Sequence, residues 1–395
     1  MGDDRTLLEG CRVFVEPGRR PLHDATILLE GEFVAAVSSN LPATQAAGTR
    51  LDCSGATALA GFWNCHVHFF ERKWADAATI PAEELKSQLQ SLTRYGFTSV
   101  FDLSSLWANT RSIRERTRTN EIRGPQIYST GEGLTPPGAL PPKIVTKMMG
   151  IMDIPMPEVT CAGDATTAAR KLLNAGVDGV KLFASGSGSG AGAVMNAEVM
   201  RAAVEEAHRY AKPVFVHPNT DDDVLNALSA GVDAIAHTTT SHAWRQHITE
   251  IVSRQRPALI PTLALWEHFF RHDRRSTQER ILAAAIEQLE TWVEAGGTVL
   301  FGTDYGAIDP DPSSEYLLMT AARMDFHQIL ASLTTNPADR FARSSKLGRI
   351  APGYQADIVI LNGDPSSNIA ALTDVRYVIR RGKVIYLTSI DPRVP

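Results

Sequence analysis

Residues 179–217, GVKLFASGSGSGAGAVMNAEVMRAAVEEAHRYAKPVFVH, contain a strand, a loop, a helix and a second strand in that order. GVKLF and PVFVH are apolar runs of strand length, while NAEVMRAAVEEAHRYA spaces its apolar residues with a helical period. Asn196 stands where a helix N-cap is expected. Strands joined through a helix in this way form parallel βαβ units. The same rhythm extends outward in ALAGFW running into His66 and His68, then in TSVFDL, QIYST, DAIAH, ALIPTL and TVLFGTD. These make eight strand candidates, the number that closes a (β/α)8 TIM barrel, an α/β fold. Helices read from PAEELKSQLQSLTRYG and DATTAARKLLNAG, with Asp164 as an N-cap and Gly176 as a C-terminal stop.

Such a barrel uses roughly 250 residues, and this chain has 395. The surplus lies at the two ends. CRVFVEPGRRPLHDATILLEGEFVAAV near the start, and GRIAPGYQADIVILNGDP with VRYVIRRGKVIYL near the finish, are β-rich runs broken by turn residues. The expected arrangement is a small β-sandwich domain from residues 1–58 and 340–395, with the barrel over 59–339. Residues 131–163 make a connection longer than compact domains usually keep. It reads as a lid lined by Met148, Met149, Met152 and Met156, or as a loop those methionines pack down.

Composition narrows the function. A hydrophobic share of 44% and a net charge of -5 describe a globular protein without the clustered cations of a nucleic-acid surface. The one basic cluster, with Arg111, Arg114 and Arg118, has the spacing of a solvated helix face. No apolar run reaches the roughly 20 residues of a membrane span, and the N-terminus lacks a secretory pattern, so a cytoplasmic location is expected. Cys11, Cys53, Cys65 and Cys161 show neither zinc-ribbon nor disulfide-framework spacing and are expected as free thiols.

The chemistry concentrates at strand ends. His66 and His68, two apart on a strand, share a face and suit one metal. His217 closes PVFVH, His237 closes DAIAH and Asp304 closes LFGTD, each where a packing residue would otherwise stand. Lys181 lies inside GVKLF, where an unpaired ammonium costs several kcal/mol or loses its proton. A neutral amine there captures carbon dioxide as a carbamate, an anionic ligand with two oxygens; the alternative is a lysine reaching out to solvent.

GFWNCHVHF, VKLFASG, VHPNT, IAHTT, GTD and GRIAPGYQADIVILNGDP, in this order over nearly the whole chain, resemble the amidohydrolase superfamily. The resemblance is specifically to its imidazolonepropionase-like dipeptidase and N-acyl amino acid hydrolase branch. It implies a barrel with a β-sandwich from both termini, two divalent metals, zinc as the usual ion, and a homo-oligomer. It also implies that His66, His68 and Asp304 hold one metal, His217 and His237 the other, and carbamylated Lys181 bridges them, with Lys181 and Asp304 as the catalytic residues and Asp304 also shuttling a proton.

Two departures bear on substrate. Asn219 replaces the aromatic residue that the family commonly carries two positions past the fifth-strand histidine, and TPPGALPP replaces its usual Gly-Gly-His. The expected small-molecule substrate is therefore an apolar N-acyl amino acid or dipeptide-like amide. Asn219, Trp74, Trp266 and His268 are its candidate contacts, with Trp107 and Phe269 as further wall. An ester, lactone or phosphotriester hydrolase, and a non-catalytic assembly protein, are the alternative readings. The glycine-rich residues 185–192 are expected to let the backbone pass close to the site and lack the Lys-Ser/Thr of a phosphate loop. His242 and His272 follow strands six and seven, within reach of the barrel mouth, and are expected in a surface or helix-packing role.

Overall fold

A computed structural model of the chain describes residues 5–41, 48–139, 150–186, 193–241, 249–250, 252, 254–308 and 311–388. Eight short parallel strands run through the middle of the sequence. Phe62–Val67, Phe97–Asp102 and Gln126–Ser129 form one sheet. Val180–Phe183, Val214–His217, Ala234–Ala236, Ala258–Ile260 and Thr298–Val299 form another. All eight expected strands are present, although TVLFGTD keeps only two residues of regular strand.

The outer edges of the two sheets are hydrogen-bonded to one another. On one side Leu134 N donates to Lys181 O at 2.8 Å and Phe183 N to Leu134 O at 2.9 Å. On the other, Cys65 N reaches Phe301 O at 2.7 Å, Asp304 N reaches His66 O at 2.9 Å, and His68 N reaches Tyr305 O at 2.6 Å. Because these strands are covered on both faces, they read as continuous apolar runs and not as alternating ones. One face meets the helices through residues such as Val100, Val180 and Leu182. The other packs Trp63, Cys65, Phe101, Tyr128 and Phe215 together, with Phe341 against them. Trp63 stacks on Tyr128 at 5.1 Å, and Phe341 lies 5.0 Å from Phe101.

The helices follow their sequence signals with one correction. Ala197–Arg209 is capped by Asn196, whose side chain accepts from Val199 N at 2.9 Å. Gly176, at φ +93, ends the helix Ala162–Asn174 as expected. Asp164 is not that helix's N-cap, because the helix starts two residues earlier, after Cys161. From within the first turn, Asp164 accepts instead from Thr160 N at 3.0 Å.

Both ends of the chain join in an eight-stranded sheet. Its order is Lys383–Leu387, Val375–Arg380, Ile358–Leu361, Thr57–Ala60, Arg5–Val13, Leu22–Glu30 and Phe33–Ser38, with Thr49–Asp52 also paired to Arg5–Val13. This sheet has its own core around Leu8, Cys11, Ile27, Ile358 and Ile379. ALAGFW, read as a single strand, is divided at Gly61: Thr57–Ala60 pairs with Ile358–Leu361, and Phe62 begins the parallel sheet. A Cβ at Gly61 would lie 2.2 Å from Thr98 Oγ1, so only glycine lets the chain pass between the two sheets there. Arg380 ties the units together, its buried guanidinium donating to Gly124 O at 2.9 Å and Gln126 Oε1 at 3.0 Å. All four cysteines are free thiols. No helix among the described residues is long and apolar enough to cross a membrane.

Candidate metal centre

The strand ends bring the predicted ligands into one buried cluster. His66 Nε2 and His68 Nε2 are 3.2 Å apart, and Asp304 Oδ1 lies 3.4 Å from the first and 2.9 Å from the second. Donor atoms of these three side chains all fall within 4.8 Å of one another. Asp304 Oδ2 is 3.9 Å from His237 Nε2. The His237 ring lies 4.6 Å from that of His66 and 4.8 Å from that of His217. His66, His68, His237, Asp304 and Lys181 are all buried.

Backbone turns at the strand ends aim these groups. His237 sits at φ +78 and Asp304 at φ +58, left-handed conformations uncommon for residues other than glycine. At such sites strain of order 1–3 kcal/mol is held by the surroundings. His68 Nδ1 lies 3.1 Å from Ser104 O, a contact only an N–H can satisfy, which leaves Nε2 with the free lone pair. His237 Nδ1 meets Thr262 Oγ1 at 2.6 Å. Ser104 and Thr262 themselves have positive φ, and neither was singled out from the sequence. Asp102, likewise missed, is buried at the end of its strand and accepts from Ser105 Oγ at 2.5 Å and Ser129 Oγ at 2.7 Å, holding the turn that carries Ser104.

Burial governs the titrations. It lowers His66 and His237 well below the ordinary histidine range and brings His217 down to about 4, keeping all three neutral. Lys181, 1% exposed, has no hydrogen-bond partner for Nζ among the described residues. Burial brings its pKa down to about 7, against the opposing pull of the Asp304 carboxylate. Asp304 is held well below the carboxylate range: burial pushes it up, but His66 and His68 beside it prevail.

The substrate candidates separate. Asn219 bonds to His217 at 3.3 Å. Trp266 donates from Nε1 to Thr238 Oγ1 at 2.8 Å, next to His237. Phe269, on the same helix Leu263–Phe269, is 50% exposed, and His268 is half-buried beside it. Phe70, which the sequence did not mark, stacks on His68 at 4.5 Å. Trp74 does not join them: it is sealed in the core at 0% exposure against Phe69, so it forms no wall. Trp107 is also buried and donates to Ala175 O.

The connection at 131–163 crosses over the loop after His68. Met152 N donates to Phe70 O at 2.8 Å, and Met156 Sδ lies 3.8 Å from Ser104 Oγ. Met148, Met149, His242 and most of the glycine-rich run lie outside the described residues. His272 is exposed, as expected.

Behind Thr262, the buried carboxyl of Glu315 accepts from Ala264 N at 2.8 Å. Burial raises its pKa to about 7. Folded Glu315 therefore keeps its proton over a range where the unfolded chain has lost it. Its stabilising contribution is full below about pH 4.5 and is lost as pH rises through about 7. Glu315→Gln, neutral throughout, should melt several degrees above wild type at pH 8, with a gain of up to about 3 kcal/mol. Near pH 4.5 the two should melt together; equal gains at both pH values would disprove the account.

The Amidohydrolase family model matches residues 57–385. The ochratoxinase of Aspergillus niger is 23% identical over 414 residues, spanning 94% of this chain and 85% of its own length. Its crystal structure superposes with a TM-score of 0.80 at 20% identity, covering 100% of this chain and 98% of that one. The structure of a Xaa-Pro dipeptidase with bound methionine in the active site gives a TM-score of 0.82 at 22% identity, over 97% and 100% of the two chains.

Proposed function

The chain belongs to the amidohydrolase family, and we propose that it uses two divalent metal ions, zinc in the first instance, to cleave an amide bond in an N-acyl amino acid or dipeptide-like molecule with an apolar acyl group. The observation that carries this reading is the buried Nζ of Lys181, without a hydrogen-bond partner among the described residues and within electrostatic reach of His66, His217, His237 and Asp304. We read the two parallel sheets as one closed (β/α)8 barrel and the terminal sheet as its β-sandwich companion.

The donor set fits such ions. Neutral imidazole nitrogens and a carboxylate are zinc ligands, and Lys181, with a pKa near 7, has free amine to take up carbon dioxide, losing a proton and becoming an anionic carbamate. His66, His68 and Asp304 would hold one ion, His217 and His237 the other, and the Lys181 carbamate both. When bound, such ions supply an acidified water and polarise a carbonyl. The chain's own contribution is placement. Ser104 O and Thr262 Oγ1 fix the rings of His68 and His237. Asp304, deprotonated and facing three imidazoles, takes a proton at Oδ2 and returns it to the departing amine.

Peptide cleavage also stands in the name of one relative, a Xaa-Pro dipeptidase. The apolar preference rests on the aromatic groups near the ligands: Phe70 stacked on His68, and Trp266 fixed to Thr238 next to His237. Covering one large apolar side chain contributes roughly 1.5–3 kcal/mol. The test is metal analysis of protein purified in zinc-supplemented buffer, followed by a hydrolysis screen of the loaded enzyme. Close to two ions per chain are expected, with kcat/KM for an aromatic N-acyl amino acid at least about tenfold above that for a small polar Xaa-Pro dipeptide. Fewer than one ion per chain removes the metal reading, esters or lactones as the only substrates remove the amide, and a preference for the small dipeptide removes the apolar pocket.

A further inference from the structure

Asn219 occupies a position from which it could face either a substrate or the protein, and its hydrogen bonds decide between them. Its Nδ2 donates to Ser185 O at 3.0 Å and Ser185 Oγ at 3.1 Å. A carbonyl oxygen only accepts, so the amide nitrogen must point toward Ser185 and the amide oxygen away from it. The Ser185 hydroxyl accepts because its own proton is committed, donated to Asp223 Oδ2 at 2.6 Å. Asp223 is in turn buried and fixed: the same oxygen accepts from Asn219 N at 2.9 Å and Thr220 N at 3.0 Å, and the side chain completes the capping box of the helix Asp221–Ala230.

Each link thus dictates the polarity of the next, and the last one reaches His217. Asn219 Oδ1, 3.3 Å from His217 Nε2, has no proton to give, so Nε2 carries the hydrogen and the lone pair of the neutral ring lies on Nδ1. The relay also pins the base of the glycine-rich excursion. Ser185 pairs with Val194, Gly186 N donates to Ala193 O at 2.7 Å, and Met195 N donates to Ala184 O at 2.8 Å.

We propose that Asn219 is a positioning residue, which with Ser185 and Asp223 sets His217 in the tautomer that offers Nδ1 to a metal, and that it does not hold the substrate. Its hydrogen-bonding groups are spent within the protein. The family's usual aromatic residue at this place has neither the amide oxygen nor the paired donors of this relay. The inference rests on the metal reading above.

The test measures zinc affinity by chelator competition for the wild type, for Asn219→Leu, which matches asparagine in shape but has no acceptor, and for Asn219→Asp, which keeps one. Losing such a partner weakens metal binding by about 10- to 100-fold. Asn219→Leu should show that loss, Asn219→Asp, which keeps the acceptor for His217 Nε2 but loses both donors to Ser185, should lose clearly less, and the metal-free Asn219→Leu and wild-type proteins should melt alike. At saturating zinc, the KM of Asn219→Leu for an N-acyl amino acid should match that of wild type. Unchanged zinc affinity in Asn219→Leu, with or without a raised KM, overturns the proposal, as does an equal loss in Asn219→Asp. A wild type that binds no zinc would instead strike down the metal reading and the proposal together, so the two failures are distinct.

Discussion

Lys181→Ala is expected to lower kcat/KM by at least about 1,000-fold and to reduce metal loading by one ion, because in the proposed centre the Lys181 carbamate would hold both ions. The argument starts from cost. A buried ammonium without a partner is among the most unfavourable things a fold can contain, and Lys181 is 1% exposed with no hydrogen bond to Nζ among the described residues. The ring of Phe183 is 5.6 Å from Nζ, too weak a contact to offset the desolvation. A lysine kept there for structure alone would be better replaced by an apolar residue of the same length. Lys181→Met should therefore melt at or above wild type in metal-free form while remaining inactive, and Lys181→Arg should be inactive because a guanidinium keeps its proton and takes up no carbon dioxide. Short carboxylates supplied with zinc should restore part of the activity of Lys181→Ala by standing in for the carbamate. Wild-type turnover by Lys181→Ala would sink the carbamate idea; a collapse of Lys181→Met would show the lysine to be structural.

What was legible in the sequence follows physical range. The eight parallel strands and the helix between Ser185 and His217 depend on local apolar period, and the strand ends mark themselves because His217, His237 and Asp304 interrupt apolar runs. The supports of those groups were hidden. Ser104 reaches His68 through a backbone carbonyl, which has no letter in the sequence, and Thr262 lies 25 residues from His237. Asn219 was noticed as a departure, but its bonds to Ser185 run 34 residues back along the chain. Trp74 misled because an indole after a strand end reads the same whether it faces a pocket or the core; what decides is Phe69, packed against it edge-on at 5.0 Å. ALAGFW looked like one strand because both sheets bury both faces of their share, so the apolar pattern passes through Gly61 without a break.

Asp304→Asn separates proton transfer from architecture. Asparagine tolerates the left-handed conformation that Asp304 holds at φ +58 better than most residues. The backbone bonds of this turn, Asp304 N to His66 O at 2.9 Å and Ile308 N to Asp304 O at 3.1 Å, need no carboxylate. The fold should therefore survive, with melting close to wild type. The negative charge does not survive, and with it goes the basicity of Oδ2, 3.9 Å from His237 Nε2, which receives the proton in the proposed mechanism. Removing a positioned acid–base group costs about 100- to 10,000-fold, and here the loss should fall on kcat, with KM changed little, because the proton moves only as the amide is cleaved. Metal analysis divides the two roles of the carboxylate. Near-normal loading with kcat down roughly 1,000-fold assigns the loss to proton transfer, whereas loss of metal in proportion to activity leaves Asp304 as a ligand alone. A slower-leaving amine should suffer more than an ester of the same acyl group, since an alkoxide departs with less help from a proton donor. Equal losses on the amide and the ester would show that Asp304 gives no proton to the leaving group.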